Sequence, residues 1–219
     1  MRVDEYFDKL YRAWDRYWWQ GGGRYSTDPD SHPTSLLTQQ TLRLLQRRPP
    51  GRALDLGAGE GADAIRLARL GYEVDAVEVS PVAAEKVERF AKKAHVSSHV
   101  RVTAGDIADA DFAGEYDVVL CNGVLHYIED KSSVITRMQQ ATAVGGFNVV
   151  SLWSTFTPVP ASHNSVTVFC DDENGVVTEL YSAWPKELIY FERDKVEASH
   201  SDLPPHRHSH IKLIARRPA

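Results

Sequence analysis

The feature that most limits the fold is the stretch "ALDLGAGEGADAIRLARLGYEVDAVEVS", which runs from Ala53 to Ser80. An apolar strand-like run ends at Leu56, a glycine-rich loop follows, and a helical run leads to a second strand-like segment that ends at Glu78. Strand, glycine loop, helix, strand and acid in this order predict a βαβ unit whose loop lets a nucleotide-like ligand approach the backbone closely. A unit of this kind requires a parallel sheet covered by helices.

The same alternation continues to the middle of the chain. The segments are helical "PVAAEKVERFAKKA", strand "VRVTAGD", strand "YDVVLCNGVL", a helix around "SSVITRMQQAT" and strand "FNVVSLW". This order predicts an α/β fold with a doubly wound, mostly parallel sheet. The last third differs, with a β-like "SVTVFC", a short helical "VVTELYSAW", and the strands "ELIYFER" and "HIKLIARR". No helix separates those last two strands, so we predict an antiparallel pair.

Aromatic residues recur at helical spacing near the N-terminus. They are Phe7, Leu10, Tyr11, Trp14, Tyr17 and Trp18. The spacing predicts an amphipathic helix that runs to the glycines at 21–23. Packing against the core is the favoured role for this aromatic stripe, and a cover over a ligand is the alternative. A second helix is predicted from Leu36 to Leu45, where "RRPPG" stops it.

Length and composition exclude several classes of protein. A chain of 219 residues with 42% apolar residues suits one globular domain. Its net charge of -5 offers no basic surface to a nucleic acid. Cys121 and Cys170 lack the spacing of a disulfide framework or a four-cysteine zinc site. The N-terminus is too charged for a signal peptide, and no apolar run has membrane-spanning length. We therefore expect a cytoplasmic protein without nucleic-acid or membrane partners.

Two cofactors suit the glycine loop. Gly57, Gly59 and Ala62 match the dinucleotide pattern, which makes a nicotinamide enzyme a rival interpretation. However, Asp55 lies inside the first strand, where its carboxylate can bind an ammonium group, directly or through water. Asp106 ends the third strand, where it can receive an adenine amino group, and no second mononucleotide-binding half follows. These features favour a nucleoside cofactor that carries an amino-acid group.

The motifs "LDLGAGEG", "VEVS", "GDI" and "YDVVLCNGVLHYI" together resemble those of class I S-adenosylmethionine-dependent methyltransferases. The resemblance implies a Rossmann-like sheet of seven strands with an antiparallel last strand. It also implies S-adenosyl-L-methionine as cofactor and S-adenosyl-L-homocysteine as product. The cofactor-binding residues that it implies are Asp55, Gly57, Ala58, Gly59, Gly61, Glu78, Val79, Asp106, Ile107, Asn122 and Gly123.

The second half of the chain narrows the resemblance. "GGFNVVSLW", "ENGVVTELYSAW", "ELIYFERDKVEASH" and "IKLIARRP" resemble tellurite-resistance methyltransferases of the TehB type. That family has an active-site histidine before the last strand, usually followed by Arg, and His200 takes its place here. Ser201 replaces the Arg, which argues against a compact oxyanion as the acceptor.

These resemblances imply a methyltransferase for a small molecule, with an organic nitrogen or sulfur nucleophile in a biosynthetic or detoxification pathway. Methylation of tellurite or selenite is the alternative enzyme function, and a noncatalytic sensor of the cofactor or its demethylated product is the alternative of another class. We expect one domain over 1–219, with an N-terminal helical cap at 1–46, a cofactor-binding core at 47–152 and a substrate-side part at 153–219.

A run of histidines, "SHSDLPPHRHSH", precedes the last strand. Alternation along an extended segment would place His206, His208 and His210 on one face. Structural or solvent-facing hydrogen bonding is the favoured role, substrate contact is second, and a metal ion is last because no cysteine or carboxylate accompanies them. No metal site is expected. The remaining substrate-side candidates are Tyr25, His32, His126, His163 and Trp153.

Overall fold

A computed structural model describes residues 1–13, 18–20, 24–26, 35–112, 114–163, 165–197 and 205–219. Its elements in chain order are α1 (Val3–Ala13), β1 (Trp18–Gln20), β2 (Arg24–Ser26), α2 (Leu36–Leu45), β3 (Arg52–Leu56), α3 (Ala62–Arg69), β4 (Glu73–Glu78), α4 (Pro81–Lys93), β5 (Val100–Ala104), β6 (Tyr116–Asn122), α5 (Lys131–Ala141), β7 (Thr142–Trp153), α6 (Val176–Leu180), β8 (Lys186–Glu197) and β9 (His206–Arg216). Single 3₁₀ turns lie at Leu125–Tyr127 and Ala161–His163.

Seven strands form the central sheet in the order β5-β4-β3-β6-β7-β9-β8. β3 pairs in parallel with both β4 and β6, and the parallel pairing continues outward to β5 and β7. β9 is antiparallel to its two neighbours, β7 and β8. The predicted fold is therefore confirmed, including the antiparallel last strand. Strand order reverses between β3 and β6, where α/β sheets open a crevice at the carboxyl ends of their strands.

Two apolar cores cover the two faces of this sheet. On one face α5 and α6 pack against the strands through residues such as Ile135 and Val177. On the other face α2, α3 and α4 supply residues such as Leu37, Ile65 and Phe90. Each large side chain buried in this way stabilises the fold by about 1.5 to 3 kcal/mol. Burial on both faces explains why the central strands are apolar almost throughout.

A buried polar contact fixes the C-terminal part to the sheet. The Tyr181 hydroxyl donates to the Asn148 side-chain oxygen on β7 at 2.7 Å, and both residues are fully buried. The Asn148 amide in turn donates to Thr142. A buried amide must find partners, so this pair helps to hold the segment after α6 on the sheet face. It joins two of the motifs that resemble TehB-type proteins.

The N-terminal helix is shorter than predicted. α1 ends at Ala13, and Trp18–Gln20 forms a strand that pairs antiparallel with Arg24–Ser26. The prediction of a helix through Trp18 was therefore wrong. Aromatic residues also favour strands when a pairing partner is available, so their helical spacing alone does not exclude a strand. Trp14, Tyr17 and the glycines at 21–23 lie outside the described residues.

Two further differences concern the segment between β7 and β8. The "SVTVFC" segment at 165–170 is not a strand, and only Asp171 forms an isolated bridge, with Ser154. The predicted helix in "VVTELYSAW" is confirmed but is limited to Val176–Leu180. Residues 165–170 are rich in residues that favour strands, but the Phe169 amide donates at 2.7 Å to the carbonyl of His126, in a 3₁₀ turn, and not to a neighbouring strand. Within the described part of the chain, no helix has the length and apolar character needed to cross a bilayer.

Candidate active site

A cavity of about 410 Å³ opens where β3, β4, β5 and β6 end. Most of the residues that the sequence predicted to bind the cofactor line it: Gly57, Ala58, Gly59, Glu78, Val79, Asp106, Ile107, Asn122 and Gly123. These residues lie at the carboxyl ends of four parallel strands or in the loops that follow them. The topology therefore assembles the predicted set at the switch point of the sheet.

The glycine loop requires glycine at two positions. Gly57 and Gly59 have φ angles of 75° and 55°, a region that other residues rarely adopt. A Cβ atom on Gly57 would lie 2.2 Å from a Val124 methyl carbon, and one on Gly59 would lie 2.9 Å from the Tyr11 hydroxyl. The Gly57 and Ala58 amides donate to the Val77 carbonyl, which ties the loop to β4. The loop thus exposes bare backbone to the cavity.

Glu78 lies at the centre of a backbone hydrogen-bond network. One carboxylate oxygen accepts from the Gly59 amide at 2.8 Å and the other from the Ser80 amide at 3.0 Å. Burial raises the pKa of Glu78, and the backbone hydrogen bonds partly oppose that rise. Each oxygen keeps a lone pair for a further donor. The side chain is therefore held with acceptor capacity available at the wall of the cavity.

Two predicted residues, Asp55 and Gly61, do not line the cavity. Gly61 precedes α3 with a φ angle of 83°, and a Cβ there would lie 2.9 Å from Val87, so its role is packing. Asp55 is only 3% exposed, and its Oδ2 atom has no hydrogen-bond partner among the described residues. Burial, and then the nearby carboxylates of Asp63 and Glu78, raise the pKa of Asp55 well above its ordinary value. Any contact of Asp55 with a ligand in this cavity would have to pass through water.

The sequence did not identify one wall of the cavity. Val3, Phe7 and Tyr11 of α1 line it, together with Val124, Tyr127 and Ile128. Packing was the favoured role for the α1 aromatic residues, but two of them face the cavity, which favours the alternative of a cover. The helical spacing was the available signal, and it does not distinguish a core face from a ligand face.

Polar contacts hold α1 in place over the glycine loop. The Ser80 hydroxyl donates to the Asp8 carboxylate. The Lys86 ammonium donates to the Tyr11 carbonyl at 2.7 Å and forms a buried ion pair with Glu60 at 3.0 Å. These contacts connect α1 to the start of α4 and to the glycine loop. The position of α1 is therefore set by the glycine loop and by the start of α4, beside the residues predicted to bind the cofactor.

Trp153 lies between two imidazole rings beside the cavity. At the end of β7 its indole stacks on His126 at 4.3 Å with an interplanar angle of 12°, and on His208 at 4.1 Å with 18°. His126 is adjacent to the cavity residue Tyr127, and their rings are 4.2 Å apart. Burial holds the pKa of His126 well below its ordinary value. Two predicted substrate-side residues, His126 and Trp153, thus lie together behind the cavity wall.

Three histidines converge on the far side of Trp153. They are His163, His206 and His208, all of them buried. His210, which the sequence placed with His206 and His208, lies instead 3.4 Å from the Glu192 carboxylate. Burial lowers the pKa of His210 to about 4. The partner of His206 and His208 is therefore His163, from a distant loop that sequence spacing did not connect to them.

Other predicted residues fall outside the described part of the chain. His200, the predicted catalytic residue, and His32 are among them, as is Ser201. The backbone of Tyr25 lies in β2, but its side chain is not described. The roles predicted for these residues stay predictions.

A protein-family model, tellurite resistance protein TehB, matches residues 37–210 of the chain. The chain belongs to the TehB family. The predicted resemblance to TehB-type proteins is thereby confirmed.

Two curated relatives of this TehB-family chain are distant and longer than it. A Haemophilus influenzae protein named probable S-adenosyl-L-methionine-dependent methyltransferase TehB is 25% identical over 155 residues, which cover 70% of this chain and 52% of the relative. Hemagglutinin 1 of Eikenella corrodens is 27% identical over 178 residues, which cover 80% of this chain and 57% of that protein. The chain thus spans about half the length of the curated relatives it matches.

The solved structure of TehB from Haemophilus influenzae has the same fold. It superposes with a TM-score of 0.70 at 20% identity, over 86% of this chain and 64% of the other. At this identity the likeness supports the architecture alone.

The residues of this TehB-family chain fit S-adenosylmethionine. Gly57 and Gly59 form a cradle that a Cβ atom would fill, and Glu78 offers carboxylate oxygens at the cavity wall. A cavity of about 410 Å³ is in the range that small-molecule and cofactor sites occupy. Asp55 adds a buried carboxyl group behind the glycine loop.

Proposed function

We propose that this protein transfers a methyl group from S-adenosylmethionine to a small organic acceptor. The observation that carries the proposal is the cavity in which the glycine loop, Glu78 and the aromatic face of α1 meet. A glycine cradle beside a ribose-binding acid suits a nucleoside cofactor, and an aromatic wall suits an adjoining acceptor. TehB-family membership supports the same chemistry.

The protein's own residues bind, orient and exclude water in this proposal. When bound, S-adenosylmethionine supplies an electrophilic methyl group on a sulfonium sulfur. Glu78 accepts hydrogen bonds from the ribose hydroxyls, and Asp106 and Ile107 contact the adenine. Phe7, Tyr11 and Tyr127 keep water from the reacting atoms. In-line displacement needs alignment more than a covalent protein nucleophile, so none is invoked.

The accepting atom is proposed to be an organic nitrogen or sulfur. Tyr127 and Trp153, with ring centres 6.1 Å apart, form the aromatic boundary on the acceptor side. Aromatic faces suit planar or soft organic groups, whereas a compact oxyanion is best bound by a guanidinium. Ser201 stands where such a guanidinium would follow the predicted catalytic residue His200. His200 is kept as the proposed catalytic base for an acceptor that needs deprotonation.

Tellurite or selenite is the second candidate acceptor, favoured by the description of the matching family. A noncatalytic sensor of S-adenosylmethionine or S-adenosylhomocysteine is the candidate from another class. The proposed location is the cytoplasm, and the free thiols of Cys121 and Cys170 are compatible with its reducing conditions. No nucleic-acid or membrane partner is proposed.

The test begins with calorimetric titration of the purified protein with S-adenosylmethionine, S-adenosylhomocysteine and NADH. We expect S-adenosylmethionine and S-adenosylhomocysteine to bind and NADH not to bind. Release of S-adenosylhomocysteine is then measured with a panel of thiols, amines, heteroaromatics, tellurite and selenite. An organic acceptor should react fastest. Fastest reaction with tellurite would contradict the acceptor assignment, cofactor binding without any turnover would favour the sensor, and binding of NADH alone would end the methyltransferase proposal.

A further inference from the structure

A cluster of three buried histidines lies beside the proposed active site. His163 ends the 3₁₀ turn in the loop after β7, and His206 and His208 are on β9. One ring nitrogen from each residue can be chosen so that the three nitrogens lie within 4.8 Å of one another. Exposed fractions of 6%, 9% and 3% place the whole cluster in the interior.

The three rings form a nearly equilateral triangle. Ring centres are 4.8 Å apart between His163 and His206, 4.9 Å between His163 and His208, and 4.7 Å between His206 and His208. The interplanar angles are 69°, 79° and 80°, so no two rings stack. Zn–N bonds of about 2.0 to 2.1 Å would draw each nitrogen inward by roughly 1 Å. Side-chain rotation can provide a movement of that size.

Two neighbouring features favour an ion at the centre of this triangle. Trp153 stacks against His208 and contacts His163 edge-on at 5.0 Å, so its indole ring packs against one side of the cluster. A second cavity of about 360 Å³ is lined by His163 and by Ser165, Val166 and Thr167. That cavity provides a path by which an ion and one outside ligand can reach the cluster.

We propose that His163, His206 and His208 form a three-histidine site for a divalent transition-metal ion, with a fourth coordination position open to an outside ligand. Among the described residues the cluster holds three imidazoles and no carboxylate. Such a set suits Zn²⁺, Co²⁺, Ni²⁺ or Cu²⁺ and does not suit Mg²⁺ or Ca²⁺, which require oxygen ligands. Three protein ligands with one open position is the arrangement of reactive rather than structural zinc sites. The sequence favoured a metal ion least because no cysteine or carboxylate accompanies His206, His208 and His210, and it did not connect His163 to them.

Metal binding is tested on the full chain, purified without a histidine tag and stripped with a chelator that is then removed. Calorimetric titration with Zn²⁺ should show one equivalent bound per chain, and Mg²⁺ should give no heat. Titration with Co²⁺ should produce the visible absorption of a four-coordinate ion. Addition of a thiol should shift that spectrum, because the fourth position accepts an outside ligand. None of these measurements depends on methyl transfer, so the result stands apart from the proposed function.

Variants assign the ligands. His163→Gln and His208→Gln should each weaken Zn²⁺ binding at least 100-fold, because Gln keeps polarity and size but is a poor ligand for zinc. His210→Gln, on the same strand, and His99→Gln, on an exposed part of the surface, are the matched controls and should bind Zn²⁺ like the unaltered protein. If His208→Gln fails to fold, His163→Gln, in a loop, decides the question.

Two outcomes overturn the proposal. The first is absence of stoichiometric Zn²⁺ and Co²⁺ binding to the unaltered, stripped protein. The second is binding that survives in folded His163→Gln, or that is lost equally in His210→Gln or His99→Gln. A Co²⁺ spectrum that does not respond to thiol would refute the open fourth position.

Discussion

The proposed cofactor side and the proposed acceptor side of this molecule are assembled in different ways. On the cofactor side, the glycine loop is continuous in sequence and follows one strand, and Glu78 ends the next. On the acceptor side, His126, Trp153, His163 and His208 come from four separate segments. A loop that binds a ligand through its backbone can be recognised as a short continuous sequence motif. Which side chains meet in a cluster depends instead on the order and direction of the strands.

The antiparallel direction of β9 explains why its histidines lie near the end of β7. Its beginning lies next to the end of β7, where Trp153 pairs in register with His210. His206 and His208 are therefore brought to the edge of the sheet where the parallel strands end. The segment that follows His163 is held by backbone bonds, with the Asp171 amide donating to the Trp153 carbonyl at 3.1 Å. Reversing one strand thus places histidines beside a cavity that is built from parallel strands.

The largest expected effect is on the cofactor side. Gly57→Ala places a Cβ atom 2.2 Å from a Val124 methyl carbon at a φ angle of 75°. The strained backbone and the overlap should lower the free energy of unfolding by roughly 2 to 4 kcal/mol and reduce S-adenosylmethionine affinity about 100-fold or more. Gly105→Ala is the matched control, since its Cβ would meet nothing within 4 Å and its φ is not positive. Thermal unfolding and calorimetric titration measure both quantities, and unchanged affinity in folded Gly57→Ala would refute the role of the loop.

On the acceptor side, Trp153→Leu should separate turnover from cofactor binding. The substitution removes the ring between His126 and His208, which should lower the free energy of unfolding by about 2 kcal/mol. Turnover with the fastest acceptor should fall roughly tenfold or more because the acceptor boundary shifts. Cofactor affinity should stay within about twofold, because Trp153 does not line that cavity.

The control for Trp153→Leu is Phe156→Leu. Phe156 is aromatic and close in sequence, but it is exposed and its ring contacts Arg193 at 4.8 Å. Its loss should change stability by less than about 0.5 kcal/mol and leave turnover unaltered. Equal effects of the two substitutions on turnover would show that the aromatic boundary has no specific role.

The sequence was a good guide wherever a function depends on neighbours in the chain. The glycine loop, Glu78 and the mostly parallel sheet were predictable because backbone conformation and βαβ topology leave local patterns. The cavity face of α1 was not, because helical spacing is the same for a face that packs on protein and one that lines a ligand site. The contact between His163 and His208 could not be predicted either, because the two residues lie in segments far apart in sequence and their spacing does not indicate that the loop packs against the strand.

A smaller effect is expected from Glu78→Ala. Loss of the carboxylate that accepts from the Gly59 and Ser80 amides removes the proposed ribose contact and loosens the loop. Cofactor binding should weaken by about 1 to 3 kcal/mol, as measured by calorimetric titration. The same substitution at Glu85, which is exposed on α4, serves as the control and should have no effect. Full affinity in folded Glu78→Ala would show that the ribose is held elsewhere.

The smallest effect is expected from Asp55→Asn, and its effect on the free energy of unfolding should depend on whether the cofactor is bound. Because the folded-state pKa of Asp55 is raised by burial, its stabilising contribution is present below the ordinary value near 3.8 and is lost as pH rises through the raised pKa. Asn carries no charge to bury, so the ligand-free variant should be more stable than the unaltered protein by about 1 kcal/mol at pH 7 and equally stable near pH 3. Saturating S-adenosylmethionine should remove or reverse that advantage, because its ammonium group loses a charge partner.

Asp109→Asn, at an exposed position, is the control for Asp55→Asn and should change neither the ligand-free stability nor the stabilisation by S-adenosylmethionine. Thermal unfolding across this pH range, with and without cofactor, distinguishes the cases, and a variant that is less stable without cofactor at pH 7 would show that the Asp55 charge is already compensated in the ligand-free protein.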